Sequence, residues 1–237
     1  MKKTFILASL LSSLIIFNSC DKVADATGVC AKKWATYKPV STSLATAEIS
    51  GGALVFSAPS LKSGVNYTVN QASVSGDFEA IATFEGFTPG AQTELTTAFL
   101  QFAAIPMSST EVANTGISNV SGGTASGIFA GTNADSKAFA NKTDGLRGTL
   151  KIKRVGSELT ITTLVYSVSI TDGTEVSTTS TAVKSDFGTS NVNIGFQFGA
   201  VNDVNKAVTA KITNFTITGG GVLATSDSFD CNSLIGL

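Results

Sequence analysis

Most of the chain after residue 50 alternates between apolar and polar side chains with a period of two. The alternating runs are rich in Thr, Val, Ile and Phe. They cover residues 52–59, 64–71, 76–87, 94–106, 148–156, 157–169, 191–201 and 208–219. This period is typical of half-buried β-strands, and no segment beyond the first 20 residues has a convincing helical stripe. Because so many strands bury their apolar faces only when two sheets pack together, the sequence predicts an all-β, two-sheet antiparallel β-sandwich.

The same alternation assigns side chains to faces. Within 76–87 it places Glu79 and Glu85 together on the face opposite Phe78. Within 208–219 it places Ala210 and Asn214 on one face and Phe215 on the other. The intervals 108–124 and 131–145, rich in Gly, Ser, Thr and Asn, are predicted to be loops that carry one short strand, ASGIFA.

The first 20 residues have the pattern of an export signal. Lys2 and Lys3 precede an uncharged apolar run, residues 4–17, which is shorter than the ~20 residues that a bilayer span needs. Asn18 and Ser19 before Cys20 resemble the lipobox of bacterial lipoproteins, in which the cysteine is diacylated and becomes the new N-terminus. The resemblance implies a signal peptide at 1–19 and a lipidated tether at 20–29, and the alternating runs predict a single sandwich domain at 30–237. A secreted or membrane-anchored protein with an incidental cysteine is the alternative.

The cysteines give a second indication of export. With Cys20 used for lipid, palmitate for example, Cys30 and Cys231 remain, and an even remainder in an exported protein predicts a disulfide. Such a bond would close a loop of about 200 residues and stabilise the fold by about 4 to 5 kcal/mol. Two free thiols are the alternative.

Charge and composition exclude several classes of function. Without Lys2 and Lys3 the 16 basic residues fall to 14 against 17 acidic ones, a net charge of −3, which argues against a nucleic-acid partner. The chain has no histidine, so histidine-activated nucleophiles and histidine-ligated zinc are excluded. We expect no metal site and no cofactor, with calcium bound by aspartate-rich turns as an open alternative.

Several motifs occur in an order that resembles a known family. They are Trp34, then ISGGALVFSAP, GDFEAIATFEGF, AFLQF, GTLKIKRVGSELTI, VNIGFQFGA and VTAKITNFTIT. Together, over about residues 34–220, they resemble the concanavalin A-like lectin and glucanase jelly rolls. The resemblance implies a jelly-roll sandwich, in which sugars usually lie across the concave sheet. Because each motif mainly reflects packing, it implies the fold more directly than a function.

Candidate ligand-binding residues are aromatic side chains with a polar group. Trp34, Tyr67 and Tyr166 are the candidates, with core packing as the alternative for Trp34. No catalytic residue is assigned. Glu79 and Glu85 are the nearest approach to a glycosidase pair, but six strand residues separate them by about 20 Å, beyond the spacing of either mechanism.

Three hypotheses follow from the sequence. The first is a lipid-anchored, non-catalytic protein of the outer membrane, periplasmic or surface-exposed, that binds a polysaccharide or another envelope component, including an envelope protein. The second is a carbohydrate-active enzyme with carboxylates dispersed over several strands. The third is a structural or adhesive subunit of an outer-membrane assembly.

Overall fold

The computed structural model describes residues 33–88, 98–106, 113–120, 125–130, 137–139, 141–169, 172–220, 225–226 and 233–236. Every regular element in these ranges is a β-strand. The strands are β1 Lys33–Tyr37, β2 Thr46–Ser50, β3 Ala53–Ala58, β4 Gly64–Val74, β5 Phe78–Thr88, β6 Ala98–Pro106, β7 Ala113–Val120, β8 Ala125–Ala130, β9 Lys137–Phe139, β10 Asn141–Val155, β11 Glu158–Ser169, β12 Glu175–Lys184, β13 Val192–Ala200, β14 Val208–Gly219, β15 Thr225–Ser226 and β16 Ser233–Gly236.

The strands form two layers. The first layer is an eight-stranded sheet in the order β12-β11-β10-β5-β14-β3-β2, with β15 paired to β14. The second layer contains two groups, β16-β1-β4 and β13-β6-β7-β8-β9, and β4 lies beside β13. All pairs of named strands are antiparallel except β1 with β16. The predicted all-β, two-sheet sandwich is therefore confirmed.

An aromatic cluster fills the space between the layers. Phe196 of β13 stacks on Phe102 of β6, with ring centroids 5.1 Å apart. Phe215, from β14 of the first layer, meets both rings edge-on at 5.9 to 6.0 Å. All three side chains are at most 1% exposed. Aromatic contacts of this kind contribute about 0.5 to 1.5 kcal/mol beyond the burial of apolar area, so this cluster anchors β6 and β13 to the first layer.

The structure corrects three predictions. β7 lies within 108–124, and β9 and the start of β10 lie within 131–145, so neither interval is a loop with one strand between them. These two intervals are rich in small polar residues and show no clear apolar–polar alternation, so their sequence did not predict the strands. In β14 a register shift between Ile212 and Asn214 reverses the alternation, so Ala210 and Phe215 are both buried on the same side.

Candidate functional site

The two layers differ in the charge that their strands carry. The described strands of the second layer contain no Asp or Glu. Those of the first layer contain Glu48, Glu79, Glu85, Asp144, Glu158 and Glu175. The second layer instead holds amides, namely Asn66, Asn70, Gln71, Gln101, Asn114, Asn119, Asn193 and Gln197. The described strands of this layer therefore carry neutral amides where those of the first layer carry carboxylates.

Three of these amides lie on one face of two neighbouring strands. In β13, Phe196 and Phe198 are buried towards the other layer, so Asn193 and Gln197 point outward, and both are half-buried. Gln101 of β6 lies directly opposite Gln197 in the antiparallel register. We call Gln101, Asn193 and Gln197 the amide face.

Small residues lie between the amides. Gly195 of β13 is paired with Ala103 of β6, one outward position along from the Gln197 and Gln101 pair. Both small residues are buried, whereas the amides stay half-buried. The amides are therefore the more exposed polar groups of this face. Each amide offers two N–H donors and an oxygen acceptor, which suits the hydroxyl groups of a sugar.

β1 extends the same outer face with an aromatic ring, and β4 places a buried hydroxyl beneath it. Tyr37 is 41% exposed and lies opposite Thr68 in the register of β1 with β4. The Thr68 hydroxyl is fully buried, and Thr68 Oγ1 has no hydrogen-bond partner within the described part of the chain. An orphaned buried hydroxyl is costly, so Thr68 is a polar group that the fold keeps despite its free-energy cost.

A corner of loops holds β4 beside β13. Asp203 accepts hydrogen bonds from the Lys62 Nζ at 2.9 Å and from the Ser63 backbone N–H at 2.8 Å. These two donors hold the pKa of Asp203 below its usual range. The Asn66 Oδ1 accepts the Lys62 N–H at 2.8 Å, and Leu61 and Val204 exchange backbone hydrogen bonds. The corner thereby sets the position of Thr68 relative to the amide face.

The three predicted ligand-binding aromatics do not come together. Trp34 is fully buried in the core, 5.3 Å from Phe215 and 5.8 Å from Phe196 between ring centroids, so it presents no ring face to solvent. This placement matches the alternative of core packing.

Tyr67 and Tyr166 lie on different layers. Tyr67 of β4 meets Phe56 edge-on at 6.4 Å, and the Lys38 Nζ lies 5.7 Å from its ring centroid. Tyr166 is on the outer face of the first layer, where the Arg147 guanidinium covers its ring at 4.7 Å. Arg147 in turn forms an ion pair with Glu175. Each tyrosine is half-buried, and neither borders the amide face.

Glu79 and Glu85 point outward from the first layer, as the alternation predicts. Glu79 forms an ion pair with Lys151 at 2.6 Å, and Glu85 forms one with Lys211 at 2.9 Å. Both pairs are about one-third to one-half exposed. Each carboxylate therefore has a lysine on a neighbouring strand as its partner, an arrangement typical of a solvated sheet surface.

The predicted lipidation and disulfide sites are not among the residues that the structure describes. Cys20, Cys30 and Cys231 are all outside the described residues. Within the described residues, no three His, Cys, Asp or Glu side chains are grouped so as to hold a metal ion. The same residues include no helix of the length and hydropathy that a membrane crossing requires.

Neither a protein-family model nor a curated protein matches the chain. Solved structures with a similar arrangement of strands include the acidic lectin of winged bean complexed with methyl-α-D-galactose. It is 14% identical, with a TM-score of 0.44, over 77% of this chain and 95% of the lectin. An alginate lyase of polysaccharide lyase family 7 is 13% identical, with a TM-score of 0.43, over 77% and 84%. A Scytalido-glutamic peptidase is 13% identical, with a TM-score of 0.40, over 62% and 78%.

The amide face was missed by reasoning from aromatic residues. A signal for it exists in AFLQFAAIP and NVNIGFQFGAV, where a glutamine at an outward position lies between two large apolar residues in each run. The pairing of Gln101 with Gln197, however, depends on a register between strands that are about 90 residues apart in sequence.

Proposed function

We propose that this protein binds a glycan on the outer face of its second layer and does not chemically change it. The observation that carries the proposal is the direct pairing of Gln101 with Gln197, with Asn193 on the same face, in a layer whose described strands lack carboxylates. Amides on rigid strands can hydrogen-bond sugar hydroxyls with little loss of side-chain entropy, because their stems are already half-buried. Tyr37 offers an exposed ring on the same outer face for contact with a sugar ring.

Most glycoside hydrolases use two carboxyl groups, one on either side of the scissile bond. The described strands that form the amide face offer none. A structural or adhesive role would favour a contiguous apolar patch of several hundred Å². The large exposed apolar side chains among the described residues are instead Tyr37, Leu44, Val155, Val176, Val183 and Val201, which are divided among β1, β10, β12 and two loops. The described side chains therefore support binding better than catalysis or a structural role.

The test is a binding assay with variants on both layers. We expect the double variant Gln101→Ala/Gln197→Ala to bind the ligand about 100-fold more weakly, since each lost hydrogen bond costs about 1.4 kcal/mol. Thr162→Ala/Thr181→Ala, which removes a 3.2 Å hydroxyl contact on the outer face of the first layer, is the matched control and should bind as wild type does. Affinity electrophoresis measures the binding of the wild-type protein and of the two double variants, in a series of gels that each contain one polysaccharide. Equal retardation of all three proteins would refute the proposal.

We further propose, from the sequence, that Cys20 carries lipid and anchors the protein in the outer membrane. The supporting features are Lys2 and Lys3, the apolar run and Ser19 before Cys20. Two or more acyl chains hold a protein on a membrane firmly, at about 0.8 kcal/mol per buried methylene. We expect labelled palmitate to be incorporated into the wild-type chain in a bacterial host and not into Cys20→Ser. Equal labelling of Cys20→Ser would show that the lipid is attached elsewhere, and no labelling of the wild-type chain would refute the proposal.

A further inference from the structure

The centre of the second layer is free of formal charge over several adjacent strands. None of the five strands β4, β13, β6, β7 and β8 contains Asp, Glu, Lys or Arg. The only described strand residues of this layer that carry charge are Lys33 and Lys137, which begin β1 and β9. At a strand spacing of about 4.8 Å, the uncharged strip is about 19 Å wide between the axes of β4 and β8.

The first layer shows that this absence is not a general property of the fold. On its outer face, the neighbouring strands β10, β5 and β14 carry Lys151, Glu79, Glu85 and Lys211. These residues lie on the three central strands of their sheet. The same chain therefore places charge on one outer face and amides on the other.

A charged ligand would be poorly held on the uncharged strip. A carboxylate or sulfate group loses hydration when it contacts half-buried side chains, and that cost is repaid only by a cation or by several hydrogen-bond donors. Each amide places an acceptor oxygen beside its donors, and this oxygen repels an anion while it accepts a hydrogen bond from a hydroxyl. The strip therefore discriminates against anions by leaving their charge without a partner.

We infer that the ligand of the amide face is an uncharged, hydroxyl-rich glycan chain and that acidic polysaccharides are rejected. This inference rests on the proposed function and deepens it by naming the class of ligand. Because no ion pair forms, binding should change little with salt, although the Debye length falls from about 10 Å at 0.1 M to about 3 Å at 1 M.

The test uses polymers that differ only in charge. Polygalacturonate, alginate and glucuronoxylan are each compared with the same polymer after chemical reduction of its carboxyl groups to alcohols, together with a neutral glucan and a galactomannan. The full chain, purified in a mild detergent, is titrated with each polymer at low and high salt. We expect binding to at least one neutral or reduced polymer, at least tenfold tighter than to its acidic parent, with little dependence on salt.

The same inference is also tested by a variant of the protein that has a charge in the uncharged strip. We expect Gln197→Lys to bind the neutral polymer about tenfold more weakly, because it loses an amide. It should also gain binding to the acidic parent, and that binding should weaken with salt. Thr162→Lys, on the outer face of the first layer, is the matched control and should change neither.

The outcomes separate the two proposals. Tighter binding of an acidic polymer than of its reduced form, lost in Gln101→Ala/Gln197→Ala, would overturn the neutral class and leave the amide face as the site. Binding of a neutral polymer that survives the same double variant would overturn the amide face itself. Binding of no polymer in either form would overturn both.

Discussion

Replacement of Arg154 by alanine should lower the free energy of unfolding by about 3 kcal/mol. Although it is charged, Arg154 is 1% exposed at the end of β10. Its Nε donates to the Gly76 carbonyl at 2.7 Å, and its Nη1 donates to the Ser190 carbonyl at 2.6 Å. Its guanidinium lies 5.1 Å from the Phe78 ring centroid. The variant loses two charge-assisted hydrogen bonds and the burial of the aliphatic stem.

Part of this loss is offset, because the buried guanidinium is itself costly. Burial lowers the pKa of Arg154, the nearby Asp77 opposes that shift, and Nη2 has no hydrogen-bond partner within the described residues. Urea unfolding followed by tryptophan fluorescence measures the difference, since Trp34 is in the core. Lys153→Ala, the exposed neighbour, is the control and should stay within about 0.5 kcal/mol of wild type. If Arg154→Ala were equally mild, the hydrogen bonds from Arg154 to the Gly76 and Ser190 carbonyls would not stabilise the fold.

Replacement of Gly220 by alanine should cost about 3 kcal/mol or more. Gly220 has a φ of +67°, in the left-handed region, where an L-residue pays about 1 to 2 kcal/mol. A Cβ there would also overlap Val74 Cγ1 and lie 3.2 Å from Phe78 Cβ. The backbone cannot easily move away, because the Gly220 N–H donates to the Asp77 carbonyl at 2.7 Å and its own carbonyl accepts from the Ser75 N–H. The overlap adds roughly 1 to 3 kcal/mol.

A second glycine separates the two causes. Gly173 has a similar φ of +74°, and an added Cβ would meet nothing within 4 Å. Gly173→Ala should therefore show only the backbone cost of about 1 to 2 kcal/mol. Thermal unfolding of both variants gives the comparison. Equal losses would mean that close packing against Val74 contributes nothing at Gly220.

Alternation predicts most of the strands that build the sandwich. The burial of Phe196 and Phe198, and the outward position of Glu79, agree with the faces that the period of two assigns. The same rule assigns Arg154 to the core side, since it shares parity with Leu150 and Ile152, but the charge of an arginine argues for the surface. Its partners, two carbonyls from distant turns, are visible only in the fold.

The features that the sequence did not predict depend on strand register and on contacts between residues that are distant in sequence. A bulge in β14 after Ile212 moves the following side chains to the opposite face of the sheet, and no residue type at that position predicts the bulge. The amide face likewise depends on β6 pairing with β13 so that Gln101 meets Gln197. The candidate aromatics were chosen by chemistry alone, and chemistry does not reveal that Trp34 is enclosed by Phe196 and Phe215.

The central claim is that a sugar contacts the amide face directly. The most direct measurement is nuclear magnetic resonance of the side-chain NH₂ groups during titration with the neutral glycan that binds best, with the signals assigned by single Gln→Glu and Asn→Asp changes. We predict that the side-chain signals of Gln197, Gln101 and Asn193 shift on binding, whereas that of Asn214 in the first layer does not. Shifts confined to residues around Tyr166, with the three amides unchanged, would contradict the claim.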